Sequence, residues 1–312
     1  MTGVQTCALS ISVASNVSDR MLVGTASLSV AATGGSGKAI AGVANVIVDN
    51  AKAHTTLGDK ARAEGTGNVN ITANNDAYLL NAGLSLAGVS GIAVGGAFNV
   101  NVLNREAIVN MKNSTVTAGG NAVLQATGKD TKVLAGLSAA SGVTGAAVSG
   151  NVIVLVESSK IKTLLAGKNN ITSDNNAIIE AHYSDMLVDA AGNIAVSGSS
   201  AAVGVTSVTV VKNNEVVTDL GESTVTAVAA GKAAKNKSGE AVEGIYVGAN
   251  AKETQYVGGA GVAASTGSAI NGVVTVLVNN NQVIADAAKA NLICVGQVPA
   301  MKDEIEIQFM VW

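Results

Sequence analysis

The sequence predicts an all-β chain wound as a parallel β-helix, and three observations carry that expectation. Aromatic residues are scarce: one Trp, four Tyr and two Phe in 312 residues, with Phe309 and Trp312 in the last four. Hydrophobic residues nevertheless make up 48% of the chain, and 36 glycines accompany a single proline. The core must therefore be thin enough for Val, Ala and Ile to fill without the rings that usually supply much of the buried area. Finally, one block recurs about every 54 residues. Self-similarity at such a period marks stacked architectures, in which each layer buries itself on its neighbours.

The same composition excludes other classes. With 48% hydrophobic residues and a net charge of −3, the chain is the opposite of a disordered polymer. Nineteen basic against 22 acidic residues leave no basic excess, so no nucleic-acid partner is expected.

Both ends differ from the body. Met1–Ile11 matches nothing downstream, lacks the pattern of a secretory signal and resembles a translated sequencing adapter. The stretch 294–312 holds the only Pro (Pro299), the only Trp and a charge cluster of Lys302, Asp303, Glu304 and Glu306. The expected organisation is thus a non-native leader over 1–11, a β-solenoid over 12–293 and a non-native or unstructured tail over 294–312. Setting the ends aside removes Cys7 and Cys294, the only cysteines, and makes the body read as a fragment of a longer protein.

Within the body, a strand anchor appears as Asn45-Val46-Ile47-Val48, Asn99-Val100-Asn101-Val102, Asn151-Val152-Ile153-Val154 and the degenerate Ser207-Val208-Thr209-Val210, at steps of 54, 52 and 56. A second anchor runs in phase: Ile71-Thr72-Ala73, Leu124-Gln125-Ala126, Ile179-Glu180-Ala181 and Val247-Gly248-Ala249, at steps of 53, 55 and 68. A polar insertion, Lys232–Glu243, explains the long step. It also separates Asn213-Asn214-Glu215-Val216 from its echo Asn280-Asn281-Gln282-Val283 by 67 residues.

Inside each block the period is two. Asn99-Val100-Asn101-Val102 and Val208-Thr209-Val210 place Val on one face and Asn or Thr on the other, as a half-buried strand does. Gly67-Asn68, Gly119-Gly120 and Asn175-Asn176 bound the strands with residues that tolerate the positive φ of turns. With five or so short strands per block, about 18 residues per coil would give three coils per block and a rod of roughly 75 Å.

Membrane spans are the main structural rival. Uncharged runs cover Ala77–Asn104, Val133–Val156, Ala190–Val211 and Thr254–Ala285, long enough to cross a bilayer as helices. They carry Asn99, Asn101, Asn151 and Asn193 in mid-run and little Leu or Phe, which favours the solenoid over helical spans or a membrane barrel.

Chemistry has little raw material. One acidic residue recurs per block (Asp19, Asp76, Asp130, Asp185 and, substituted, Glu253), a column open to a calcium reading. The Gly-Gly-x-Gly-x-Asp nonapeptide of calcium β-rolls is absent, so solvated turn residues are expected and no metal site is assigned. Asn50, Asn104, Asn213 and Asn280 read as left-handed turns or as a stacked amide ladder, with carbohydrate contact as the functional alternative. His54 and His182, the only histidines, are 128 residues apart and are expected to be exposed. Gly35-Ser36-Gly37-Lys38 lacks the first Gly and the final Ser/Thr of a phosphate loop. Gly258-Gly259-Ala260-Gly261 lacks the helix and acidic partner of a dinucleotide site. No catalytic or cofactor residue is expected, and the chain is read as a non-enzyme. The Asn-x-Ser/Thr triplets at Asn16, Asn70, Asn113, Asn170 and Asn236 are as expected by chance in such a composition.

Ser114–Ala126, with Ala97–Asn104 before it, resembles the passenger repeats of filamentous haemagglutinin-like and leukotoxin-type adhesins of Gram-negative bacteria, and the similarity covers about Val13–Ile293. The resemblance implies a right-handed parallel β-helix, exported by a type V route through an outer-membrane translocator and displayed on the cell surface. It further implies contact with host or bacterial surface molecules, glycans among them, and a stalk or adhesive role. It carries over no functional residue. An enzyme or toxin passenger, for which this segment would be scaffold, is the second reading. A body without cysteine suits unfolded passage through a pore, since no disulfide blocks it.

Overall fold

The structure is a computed structural model that describes residues 10–31, 37–229, 233–295 and 300–311, all of them strands and connections without a helix. The first coil runs through β1 (Ile11–Ala31), β2 (Lys38–Leu57) and β3 (Arg62–Gly65). The second follows as β4 (Val69–Val89), β5 (Ile92–Lys112) and β6 (Thr115–Ala118). The third is β7 (Ala122–Gly142), β8 (Ala147–Ala166) and β9 (Asn170–Ser173), and the fourth β10 (Ala177–Ser197), β11 (Ala201–Asp219) and β12 (Thr224–Ala227). A short antiparallel hairpin, β13 (Ala234–Lys235) and β14 (Ala241–Val242), interrupts the winding before the fifth coil. That coil is β15 (Ile245–Ser265), β16 (Ser268–Asp286) and β17 (Asn291–Cys294), and β18 (Ala300–Val311) lies beyond it.

Three parallel sheets result. Sheet A orders β1-β4-β7-β10-β15-β18, sheet B orders β2-β5-β8-β11-β16, and the short sheet C orders β3-β6-β9-β12-β17. The architecture is thus the parallel β-helix expected, but with a different coil. Each block makes one coil of two long strands and a short one, not three coils of short strands. A strand of 21 residues extends about 70 Å, whereas five stacked coils rise only about 24 Å. The molecule is broad and shallow where a slender rod was expected. The reason lies in the uncharged runs: each is the far half of a sheet A strand, a tight reversal such as Ser90-Gly91, and the near half of a sheet B strand. Nothing in a period-two pattern marks where the chain turns. No helix among the described residues is long and apolar enough to cross a membrane.

The register places the second anchor in one column, Ile71, Leu124, Ile179 and Val247. The first anchor holds only in part. Asn45 pairs with Asn99, but Asn151 pairs with Ala97, two residues away. A shift of two keeps the same face, so Asn151 still points inward.

Sheets A and B face each other and share one interior, graded along the strands. At the sheet C end the gap is wide, and Val69, Ile71, Val109, Met111, Leu124, Ile161 and Ile179 pack with Val116, Ile171 and Val225 of sheet C. A second apolar layer, with Leu79, Leu103, Leu134, Leu155 and Leu187, lies farther out. At the reversal end the two sheets close to a thin edge filled by Ala39, Ala41, Ala87, Ala93, Ala140, Ala147, Ala195 and Ala202. There is no room for more. A Cβ on Gly95 would lie 2.5 Å from the Ala139 carbonyl oxygen of the opposite sheet.

The face of the first anchor that lies inside differs between strands. Asn99 and Asn101 are buried and Val100 and Val102 face outward, while Val208 and Val210, in the same two columns through Ile153 and Leu155, are buried and Thr209 faces outward, because the fourth copy of the anchor is one residue out of phase. The buried amides satisfy one another: Asn45 Nδ2 donates to Asn81 Oδ1 at 2.8 Å and to Asn99 Oδ1 at 2.9 Å, and Asn81 Nδ2 donates to Asn101 Oδ1 at 2.7 Å.

The expected positive-φ turns fall at a different corner. Lys60, Asn113, Gly167 and Gly221 are left-handed where sheet B leads into sheet C. Gly119, at the corner into sheet A, is needed for close approach instead, since a Cβ there would overlap the Thr66 carbonyl. Residues 1–9, Ser36 with its neighbours 32–35, Pro299 and Trp312 lie outside the described residues. Residues 300–311, set apart by composition, form β18 in register with β15, from Tyr246 opposite Ala300 to Val257 opposite Val311.

Candidate functional site

Between the two apolar layers the interior is ionic. Sheet A contributes Asp130, Lys132, Tyr183, Asp185 and Glu253, and sheet B contributes Asp49, Arg105, Glu157 and Lys212; apart from Asp49, each is buried. Lys132 Nζ lies 2.6 Å from Asp185, 2.8 Å from Glu157 and 3.7 Å from Asp130. Lys212 Nζ pairs with Asp185 and lies 3.4 Å from Glu253 and 3.7 Å from Glu157. Arg105 pairs with Asp49 and reaches Asp130 at 3.6 Å and Asp19 at 4.0 Å. Tyr183 Oη donates to Glu157 Oε1 at 2.5 Å and itself accepts from Ser159 at 3.1 Å. Asn214 and Gln255 donate to the two oxygens of Glu253 at 2.7 and 3.0 Å.

The recurring acids were expected to be solvated turn residues, and the structure corrects this. Asp130, Asp185 and Glu253 form a column in mid-strand, continued by Ala77 and Asp19. Asp76 is one residue out of phase and lies exposed on the outer face. Strand parity carried the signal. Counting by twos from Leu124 reaches Asp130 and Lys132, and from Ile71 it reaches Ala77, never Asp76. The same count would have found Tyr183. Arg105, Glu157 and Lys212 were missed: they share parity with Leu103, Leu155 and Val210, but the other face of each strand also carries Val, so the sequence does not rank the two faces until the partner sheet is in view.

The carboxylate oxygens of Asp130, Glu157 and Asp185 come within 4.8 Å of one another, a spacing that could hold a cation. The ammonium groups of Lys132 and Lys212 occupy that place, so the donor set is already neutralised from within. Burial alone would raise the Glu157 carboxyl, but Lys132 and Lys212 outweigh it and hold that group well below the usual carboxylate range. Burial dominates at Asp130, pushing its carboxyl up to about 6 against the pull of Lys132. Asp189, one layer farther out between Leu134 and Val257 in register, has no partner at either oxygen. Burial pushes its carboxyl up to about 8. Sealed among side chains, these groups can hold coils in register and cannot reach a substrate.

The histidines lie on different sheets. His54 is half-exposed and 2.9 Å from Glu106, which Lys52 also contacts at 3.3 Å. His182 is mostly covered, contrary to expectation, because the β13–β14 insertion folds over the outer face of sheet A. Val242 of the hairpin packs with Ile178 and Tyr246, and Lys237 N donates to Glu180 at 2.9 Å. Burial raises the Glu180 carboxyl and lowers the His182 imidazole. Gly258–Gly261 is mid-strand in β15, with no loop to cradle a phosphate.

Outside, the amide ladder is real and the left-handed turns are not. Asn50, Asn104, Ser158, Asn213 and Asn280 stack in one column across the outer face of sheet B. Asn104 Nδ2 donates to Asn50 Oδ1 at 2.6 Å and Asn280 to Asn213 at 3.2 Å. Lys160, Glu215 and Gln282 flank it, and a groove of about 550 Å³ opens over Ser158, Asn213 and Asn280. Donors and acceptors of both kinds line this groove, an inventory suited to hydroxyl-rich or peptide ligands. Comparison with protein families, with curated proteins and with solved structures finds no match.

Proposed function

We propose that this chain is a non-enzymatic structural and adhesive segment of a large surface-displayed adhesin, acting as stalk or contact surface. One observation supports the reading above others. The clustered ionic groups are sealed and paired in the interior, while the outer face of sheet B carries a polar ladder repeated in all five coils. Such a surface contacts an extended partner through many weak, similar hydrogen bonds. Glycans on host or bacterial cells are the proposed ligands, and display follows type V export of a Gram-negative bacterium; Cys294 is the one cysteine among the described residues, so no disulfide within them hinders passage as an unfolded chain.

A glycan array probed with the chain tests this. Binding that falls on Asn213→Ala with Asn280→Ala supports it. Absence of binding to glycans and to cells, or turnover of a polysaccharide by the chain, overturns it.

A further inference from the structure

The half of the molecule near the strand reversals is strongly aliphatic on its outside. Its interior holds Ala, Gly, Ser and Asn toward the reversals, with Ile47, Ile153, Leu155, Val208 and Val210 at its inner limit, and many large aliphatic side chains face away from the core. On sheet B the outward positions of this half are five on each of five strands, starting at Ile40, Val94, Val148, Val203 and Ile270 and stepping by two. Only Ser207 and Thr209 among them carry a polar side chain, and none is charged. Val46 is 67% exposed, Ile270 64% and Val274 54%. At strand spacings of about 4.8 Å and about 6.6 Å per outward position, the patch covers roughly 800 Å².

We infer that this apolar half of the outer face of sheet B is an interface with a second copy of the chain. A patch of that area exceeds what monomers ordinarily leave in water and equals one partner's share of a standard stable interface. Being flat and uncharged, it can pair with itself about a twofold axis with no charges to match, two sheets packing face to face at about 10 Å. A bilayer is a poorer occupant. Among the described residues no strand lies beside the outer edges of β2 and β16 in sheet B, and hydrocarbon cannot satisfy the backbone groups there. The opposite face, on sheet A, is also uncharged in this half and exposes Leu22, Leu28, Val30 and Val262, but a column of small residues, Gly24, Ala82, Ala135, Ala190 and Gly258, divides it.

Sedimentation equilibrium over a concentration series, with vesicle flotation in neutral phosphatidylcholine, decides the matter. The chain is expected to dimerise. Val100→Lys with Val154→Lys should raise the dissociation constant by on the order of tenfold or more with the circular dichroism unchanged, and Leu137→Lys on sheet A should leave it alone. If the double variant misfolds, Val46→Ser with Val276→Ser on outer strands provides the same comparison. A monomer at all concentrations, weakening by Leu137→Lys instead, or flotation with the vesicles overturns the inference.

Discussion

Lys132 and Asp185 meet in the sealed interior, Nζ to Oδ1 at 2.6 Å, although 53 residues and one full coil separate them. Lys132 lies opposite Leu187 and Asp185 opposite Asp130 on the neighbouring strand, so the pair is diagonal. The column of carboxylates on sheet A would repel at one-strand spacing without a cation between its members, and Lys132, Lys212 and Arg105 supply it. These ion pairs bridge neighbouring coils and the two facing sheets, and each leaves a buried charge behind when one partner is lost.

Removing one member should be costly. Lys132→Met is expected to destabilise the chain by about 3–5 kcal/mol, because Glu157 and Asp185 stay buried with Lys212 as the one cation shared between them. Adding Glu157→Gln and Asp185→Asn should recover much of the loss. Urea denaturation at pH 7 checks both, and an unshifted midpoint in the single variant would refute the ionic account.

Tyr183→Phe removes the phenol that donates to Glu157 at 2.5 Å. A loss of about 1.5–3 kcal/mol is expected for a hydrogen bond to a charged group. The depressed Glu157 carboxyl contributes stability that is present above its ordinary value near 4.5 and is lost as pH falls below it. With the phenol gone, acid unfolding should begin at higher pH. Acid titrations of the two proteins, followed by circular dichroism, should differ in that direction.

Asp189 has the opposite sign. Folded, its carboxyl keeps its proton up to about pH 8, whereas an unfolded chain releases it near 3.8. The folded state binds the extra proton, so stability falls as pH rises from about 4 to about 8. Asp189→Leu should flatten this decline and stabilise the chain most at pH 8. Denaturation midpoints at pH 5, 6.5 and 8 measure it, and parallel curves for variant and parent would exclude the assignment.

The thin edge makes a steric prediction. Gly95→Ala drives a methyl against the Ala139 carbonyl and should cost about 1–3 kcal/mol. Gly150→Ala, on the same sheet with nothing within 4 Å of the new atom, should be neutral or slightly stabilising. Equal effects in thermal unfolding would contradict the narrowing of the gap.

Much of this molecule was legible beforehand for a simple reason. Small β-branched residues, scarce aromatics and an anchor recurring as Ile71, Leu124, Ile179 and Val247 suffice to specify stacked parallel strands, since strand pairing repeats whatever the sequence repeats. The amide ladder of Asn50 with Asn104 and Asn213 with Asn280 followed from the same periodicity, as did the insertion over Lys232–Glu243. Three things were decided only by the tertiary structure. The size of the coil depended on where the chain reverses, which Ser90-Gly91 does inside an unbroken alternating run. The sealing of Lys132, Glu157 and Lys212 depended on a partner sheet that supplies opposite charge across the gap. Alternation in Asn99-Val100-Asn101-Val102 defines two faces without ranking them, and only the buried amides of Asn45 and Asn81, which donate to Asn99 and Asn101, place the amides inside and the aliphatic face outside.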